Sequence, residues 1–269
     1  MKIFVILLSF SLYAYAAFET FDSNAFLCGL GGSMVTGNNY FSAFLLNPAT
    51  SATSQNFSLG FSYSRPFGLD DLNHANLIMN LPIKKFGTGI AFSNFGNNLY
   101  QENRLSFNLS RTFLQNKLFI GINLHWYKIR IERYPDLATL GTDIGFQWEI
   151  SPVIYTGFSI KNFNHPNLNG HKEEIPIQTL WGISVKPEDQ FTFHLALQKD
   201  RWFPINFLMG IEFEANRFLS IQSGFNSYPA IPSIGIQLHK SVILVTYSFQ
   251  YHIELGGTHY WGISFNKKP

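Results

Sequence analysis

Phe57-Ser58-Leu59-Gly60-Phe61-Ser62-Tyr63-Ser64 carries a large apolar residue at every odd position and a small or polar one at every even position. A period of two sends these sets to opposite faces of an extended chain, so the stretch reads as a β-strand with one greasy and one polar face. The alternation returns at Leu105-Ser106-Phe107-Asn108-Leu109-Ser110, at Leu118-Phe119-Ile120-Gly121-Ile122-Asn123-Leu124-His125-Trp126 and at Phe191-Thr192-Phe193-His194-Leu195-Ala196-Leu197-Gln198. No helical spacing of three and four appears in them.

Carried along the chain, the rule predicts strands near 56–65, 73–81, 86–94, 102–112, 117–130, 139–149, 152–162, 176–185, 190–199, 204–213, 217–225, 232–239, 241–252 and 257–266. The number is even, as a barrel with both chain ends on one side of a membrane needs. Every second link is short: Pro82-Ile83-Lys84-Lys85, Phe113-Leu114-Gln115-Asn116, Ser151-Pro152, Lys186-Pro187-Glu188-Asp189, Ala215-Asn216 and His239-Lys240. The links between them, such as 94–102, 131–138, 162–175 and 225–231, are longer. Short periplasmic turns alternating with longer external loops are expected of an outer-membrane barrel, and a soluble sandwich has no reason to keep that asymmetry.

Composition agrees. Charged residues make up 13% of the chain, against about 25% in ordinary soluble domains, while aromatic residues reach 17% with 28 phenylalanines. After residue 16 no window offers the roughly 18 apolar residues that a membrane helix requires. An antiparallel transmembrane β-barrel of about 14 strands resolves the conflict, because each strand spends its apolar residues on one face. The outward set includes Phe61, Ile120, Ile122, Leu124, Leu195, Met209 and Ile236; the inward set includes Ser58, Gly60, Asn108, Gly121, Asn123, Gly145, Gln222 and Thr246. So polar an interior suits a lumen holding water or an inserted segment, not a soluble core. Tyr63, Trp126, Trp148, Tyr155, Trp181, Tyr251 and Trp261, near strand ends, are read as girdle positions at the headgroup level.

Three parts follow. Residues 1–16, with Lys2, an apolar run and Ala14-Tyr15-Ala16, read as a secretory signal peptide. Residues 17–55 do not alternate and are too apolar for a free linker, so they are expected to fold into the lumen as a plug. Residues 56–269 form the barrel. Cys28 is the single cysteine, which excludes an internal disulfide. Gly29-Leu30-Gly31-Gly32 is not a nucleotide-binding loop, since no strand leads in and no Gly-Lys-Ser/Thr follows.

Gly29, Gly31 and Gly32, followed by Ser42-Ala43 and then by Asn47, Pro48 and Ala49 just before the first strand, resemble the opening of the PorV/PorQ family of outer-membrane proteins, distantly similar to FadL-type fatty-acid transporters. Asn38-Asn39 stands where that family commonly has an acidic pair, and Leu255 to Phe265 resembles its closing strand. The resemblance implies a fourteen-stranded barrel with a plug in the outer membrane of a Gram-negative bacterium. It also implies either docking or assembly in type IX protein secretion or passive transport of hydrophobic small molecules.

The candidate lumen polar residues are Arg104, His125, Asp143, Lys161, His194 and Glu212. They can be hydrated or pair with plug groups, or they can form a selectivity constriction. His165, His171, Glu173 and Glu174 show no distinctive metal-ligand spacing. Serines and histidines abound, but no pair stands out as catalytic, and no enzyme activity or cofactor is expected. Lys84-Lys85 and Lys267-Lys268 are too sparse for a nucleic-acid partner. Membrane lipid is the expected surroundings, with secretion-system proteins or an apolar small molecule as partner. Phe41, Phe44, Leu45 and Leu46 are the candidate apolar plug lining. Because the inward apolar residues Leu180, Leu208 and Leu244 lie on different strands, the sequence favours docking over transport.

Overall fold

The computed structural model describes residues 17–18, 22–37, 40–54, 56–168 and 174–267. The signal-peptide reading, and the positions Asn38, Asn39, His171 and Glu173, lie outside them.

Fourteen strands form one closed antiparallel barrel. They are β1 (Phe57–Arg65), β2 (His74–Ile83), β3 (Phe86–Gly96), β4 (Tyr100–Phe113), β5 (Leu118–Ile131), β6 (Leu137–Ser151), β7 (Ile154–Lys161), β8 (Gln178–Glu188), β9 (Phe191–Asp200), β10 (Asn206–Asn216), β11 (Leu219–Ser227), β12 (Ala230–Lys240), β13 (Ile243–His252) and β14 (Gly256–Lys267). Backbone amides and carbonyls inside a bilayer have no water to bond, so a sheet can span only if it closes. The ring is sealed by β1 against β14, in register from Phe57 opposite Lys267 to Arg65 opposite His259.

Alternation sets the two faces as the sequence predicts. Ile122 is 45% exposed while Asn123 beside it is fully buried, because even residues of β5 point to lipid and odd ones to the lumen. Trp126, Trp148, Trp181, Tyr251 and Trp261 are exposed on the outer wall. Tyr155 departs from the girdle expectation: it shares a face with Gly157, Ser159 and Lys161 and lines an inner cavity. The period of two settles its side, because Tyr155 is two residues from Gly157 and four from Ser159, both inward.

At one end of the barrel the links are 84–85, 114–117, 152–153, 189–190, 217–218 and 241–242, all short. Pairing runs a few residues beyond the expected ends there. Glu188 pairs with Phe191, so Lys186 to Glu188 belong to β8 and not to a turn. Three register shifts, at Glu149/Ser151, Val185/Glu188 and Glu214/Asn216, crowd this same end, where bulges end pairing without breaking the wall. The opposite end holds 66–73, 97–99, 132–136, 162–177, 201–205, 228–229 and 253–255. The long link expected at 225–231 is absent. β11 and β12 pair up to Ser227 opposite Ala230, and Asn206 Oδ1 takes the Ser227 and Tyr228 amides at 3.1 and 3.0 Å to fix the tight turn.

Residues 24–37 and 40–54 run through the lumen. Helix α1 (Ala25–Cys28) starts where Asn24 Oδ1 accepts the Phe26 amide at 3.1 Å. Two 3-10 turns follow, Ala43–Leu45 and Pro48–Thr53, with Asn47 capping the second. So short a set of helices is not stable by itself. Tertiary burial holds it: Phe26, Phe44, Leu30, Met34 and Leu45 are fully covered, and each such side chain contributes about 1.5–3 kcal/mol.

Candidate functional site

The luminal segment docks on the polar face of the wall. Small inward residues make the room: a β-carbon on Gly87, Gly121 or Gly145 would overlap Ser51, Pro48 or Asn47 respectively. Gly31 meets two demands at once. Its φ of +62° favours glycine, and an added Cβ would stand 2.9 Å from the Phe225 amide nitrogen.

Polar wall residues then satisfy backbone groups that the segment's irregular path leaves open. Asn108 Nδ2 donates to the Pro48 carbonyl at 2.9 Å, Asn123 Nδ2 to the Phe44 carbonyl at 2.9 Å and Ser159 Oγ to the Leu46 carbonyl at 2.7 Å. On the other side of the lumen, Ser62 Oγ accepts the Ala25 amide at 2.9 Å, and Ser248 Oγ donates to the Ala25 carbonyl at 2.7 Å. Asn47 does the most. Its Oδ1 accepts the Ala49 amide at 3.1 Å, and its Nδ2 donates to the Val35 and Phe146 carbonyls at 2.8 and 3.0 Å.

The candidate lumen residues are all buried, and they fall into separate groups. Arg104 donates to Asp22 at 2.9 Å, and Lys161 donates to the other oxygen of the same carboxylate. Glu212 accepts from the Tyr40 hydroxyl. His194 Nδ1 lies 2.7 Å from Ser184 Oγ, which also bonds Thr36. These groups tie wall to segment, and they do not converge on a shared constriction. Asp22 and Tyr40, their partners, were not legible as such in the sequence.

His125 and Asp143 belong to a row on three adjacent strands. Ser106 Oγ is 2.7 Å from His125 Nδ1, and His125 Nε2 is 2.6 Å from Asp143 Oδ2. The pattern mimics a serine-hydrolase triad, but Ser106, His125 and Asp143 are all fully buried. Asp143 also accepts the Asn162 amide at 2.9 Å and Asn123 Nδ2 at 3.1 Å. No substrate carbonyl can reach Ser106, so the row acts as a satisfied polar ladder. No group of three or more His, Cys, Asp or Glu among the described residues can hold a metal.

Two cavities flank the segment and share no lining residue. The one toward the long-loop end has a volume of about 250 Å³, with Leu27, Cys28, Leu46, Leu180 and Leu208 among its walls and His74, Gln178, Gln198 and Gln250 in the remainder. Leu180 and Leu208 do converge, against the sequence expectation. They join Leu27, Leu30, Met34, Val35, Ala43 and Leu46 in one apolar cluster, which the barrel's closure and the inserted segment assemble from distant parts of the chain. The cavity toward the short-turn end measures about 340 Å³ and is bounded by Phe26, Phe41 and Leu244 on one side and polar wall residues on the other. Of the candidate plug lining, Leu46 reaches the first cavity and Phe41 the second. Phe44 and Leu45 are packed against Phe26, Ile78, Ala91 and Leu244 and touch neither.

No family model matches the chain, and no curated protein sequence does. Solved structures do share its fold. The Ralstonia pickettii toluene transporter TbuX superposes with a TM-score of 0.72 at 10% identity, covering 93% of this chain and 99% of that one. The CymD monoaromatic hydrocarbon channel gives 0.72 at 14% identity, over 94% and 99%. A Pseudomonas aeruginosa FadL homologue gives 0.62 at 10% identity, over 91% and 98%. The structural neighbours are thus FadL-type barrels, described as transporters or channels and not as enzymes.

Proposed function

We propose that this chain is an outer-membrane channel for small apolar molecules, exported by its first sixteen residues and gated by the segment 17–55 acting as a plug. The observation that carries the reading is the convergence of Leu27, Leu46, Leu180 and Leu208 around the long-loop cavity. Contiguous apolar surface with a few polar fixtures is what binds an apolar ligand from water. Hydrocarbon transport among proteins of the same fold supports it in kind. Docking or assembly in type IX secretion, the first expectation from the PorV/PorQ resemblance, draws no support from these neighbours and gives way to transport.

The mechanism follows from the geometry. An apolar solute leaves water for the external cavity and meets the segment's apolar cluster, which separates it from the second cavity. Passage requires the segment to shift, and the polar contacts that hold it are of the kind that a small displacement can exchange with lumen water.

Uptake of labelled toluene into proteoliposomes holding the purified barrel tests the reading. Saturable influx, reduced several-fold by Leu208→Asn at unchanged barrel yield, is expected. Influx equal to that of protein-free vesicles would refute it.

A further inference from the structure

A third cavity, of about 270 Å³, sits on the long-loop rim where β8, β9, β10 and β11 meet. Gln178 stands opposite Asp200, Gln198 opposite Asn206 and Asn226 opposite Leu208. These polar residues share the parity of the inward positions Leu180, Ala196 and Leu208, so the cavity opens to the external mouth of the lumen and not to lipid. Phe203 and Tyr228 flank it, both exposed, with ring centroids 6.4 Å apart and planes tilted by 44°. The frame is fixed in advance. Lys199 Nζ donates to the Phe203 carbonyl at 2.5 Å, the Trp202 amide donates to Asp200 Oδ1 at 2.9 Å, and Asn206 Oδ1 holds the turn that carries Tyr228.

The polar groups left open are of both kinds. Asp200 is only 6% exposed, and its Oδ2 has neither hydrogen bond nor ion pair among the described residues. Gln178 Oε1 accepts Gln198 Nε2 at 3.5 Å, and Gln198 Oε1 accepts Asn206 Nδ2 at 3.3 Å, which leaves Gln178 Nε2 without an acceptor. Asn226 has no partner at either end of its amide among the described residues, and its Oδ1 is buried. An amide turned either way offers one donor and one acceptor, whereas a carboxylate only accepts. The neighbouring cations are committed, Lys199 to the Phe203 carbonyl and Arg201 to Glu174. An apolar solute matches none of the open groups, an ammonium leaves the amide hydrogens unmet, and an anion is opposed by Asp200. A hydroxyl both donates and accepts. Adjacent hydroxyls on a saturated ring therefore answer the carboxylate and the amides together, while the ring's electropositive C–H face lies on the negative face of an aromatic.

We propose that this rim cavity binds one hexopyranose unit of a soluble saccharide, with its hydroxyls on Asp200, Gln178 and Asn226 and its C–H face against Phe203 and Tyr228. A volume of about 270 Å³ lies just under the range of ligand pockets, which limits the occupant to about one ring. Gln178, Gln198 and Asn226 also line the apolar cavity beneath, so the saccharide sits at that cavity's mouth. The site does not rest on the transport reading, because its chemistry is that of a polyol and not of an apolar solute.

The test titrates the full mature barrel in phospholipid nanodiscs with methyl β-glucoside, methyl β-galactoside and methyl α-mannoside, followed by saturation-transfer NMR. Cyclohexanol serves as a ring with a single hydroxyl, and N-acetylglycinamide as a donor and acceptor without a sugar ring. Saturable binding of at least one glycoside is expected, with transfer strongest to the C–H protons of one ring face. Asp200→Asn keeps an acceptor for the Trp202 amide and should weaken that glycoside about tenfold; Phe203→Ala should weaken it about fivefold. Phe203 is exposed in the 201–205 loop, so its variant decides the matter if Asp200→Asn does not give the compact band of a folded barrel on an unheated gel. Absence of saturable binding by all three glycosides would overturn the proposal. So would affinity unchanged in every folded variant, or displacement of the glycoside by cyclohexanol, N-acetylglycinamide or toluene at equal concentration. Toluene influx is measured separately, so failure here leaves the transport reading standing, and failure there leaves this one.

Discussion

The carbonyl of Pro48 occupies the place where a β-carbon on Gly121 would have to sit. The contact is backbone on one side and wall on the other, so neither can yield by changing a rotamer. Gly121→Val should therefore push the 3-10 turn at Pro48–Thr53 off the wall while the barrel still closes. The expected outcome is a loss of about 1–3 kcal/mol in urea unfolding from lipid vesicles, with raised single-channel conductance. Wild-type conductance in the folded variant would mean that the segment is not what blocks the lumen.

The Ser106, His125 and Asp143 row yields a prediction of the opposite kind. Its serine is sealed, so a fluorophosphonate that labels accessible catalytic serines should leave the folded barrel unmodified. His125→Leu, however, strips hydrogen bonds from both Ser106 and Asp143. Unsatisfied partners of this sort cost about 1–3 kcal/mol, more where one is charged, read as a lower unfolding midpoint. Labelling of Ser106 in folded protein would contradict the burial on which this account rests.

Fold and site were legible to different depths, for physical reasons. The wall was readable because lipid enforces period two: Phe107 and Leu109 can only face out if Asn108 faces in. The strand ends moved by a few residues, since ladder pairing such as Glu188 with Phe191 depends on the partner strand and not on local propensity. The inward glycines and asparagines could be recognised as small and polar, yet nothing in their spacing told that Asn123 reaches the Phe44 carbonyl. Convergence of Leu180 with Leu27 and Leu208 is a property of closure, and only the folded ring places them side by side. Asp22 was hidden for the same reason, because its partners Arg104 and Lys161 come from strands 82 and 139 residues away.

The lipid-facing side of the barrel can be tested directly. Phe107 sits near the middle of β4, is 47% exposed, and is flanked by Ile90 and Leu124 on the neighbouring strands. Phe107→Arg should destabilise the membrane-inserted barrel by about 2–4 kcal/mol and slow its insertion into vesicles. The same change at Leu114, 68% exposed in the 114–117 turn, should cost about 1 kcal/mol or less. Equal effects at the two positions would show that Phe107 does not lie at the bilayer midplane.

The last prediction concerns Asp22, which holds the start of the luminal segment to the wall. Its carboxylate is shared by Arg104 and Lys161, whose side chains are 3% and 5% exposed. Removing one member of a buried charged group is more damaging than replacing all of it, because the remaining charges keep their desolvation penalty and lose the attraction that offset it. Asp22→Asn should accordingly loosen the segment, and relaxation of the two cations toward water would carry α1 with it. Cys28 is a native reporter at the end of that helix, only 3% exposed. Its labelling by a maleimide should be slow in the wild-type barrel and at least about tenfold faster in Asp22→Asn, since a thiol reacts in proportion to its exposure. Adding Arg104→Met and Lys161→Met to Asp22→Asn should restore much of the protection, because no buried cation then remains to be satisfied. If the single variant labels no faster than wild type while Gly121→Val does, the segment is held by its backbone contacts and the carboxylate is incidental. If the triple variant labels as fast as Asp22→Asn, attraction and not relief of stranded charge is what keeps α1 in place.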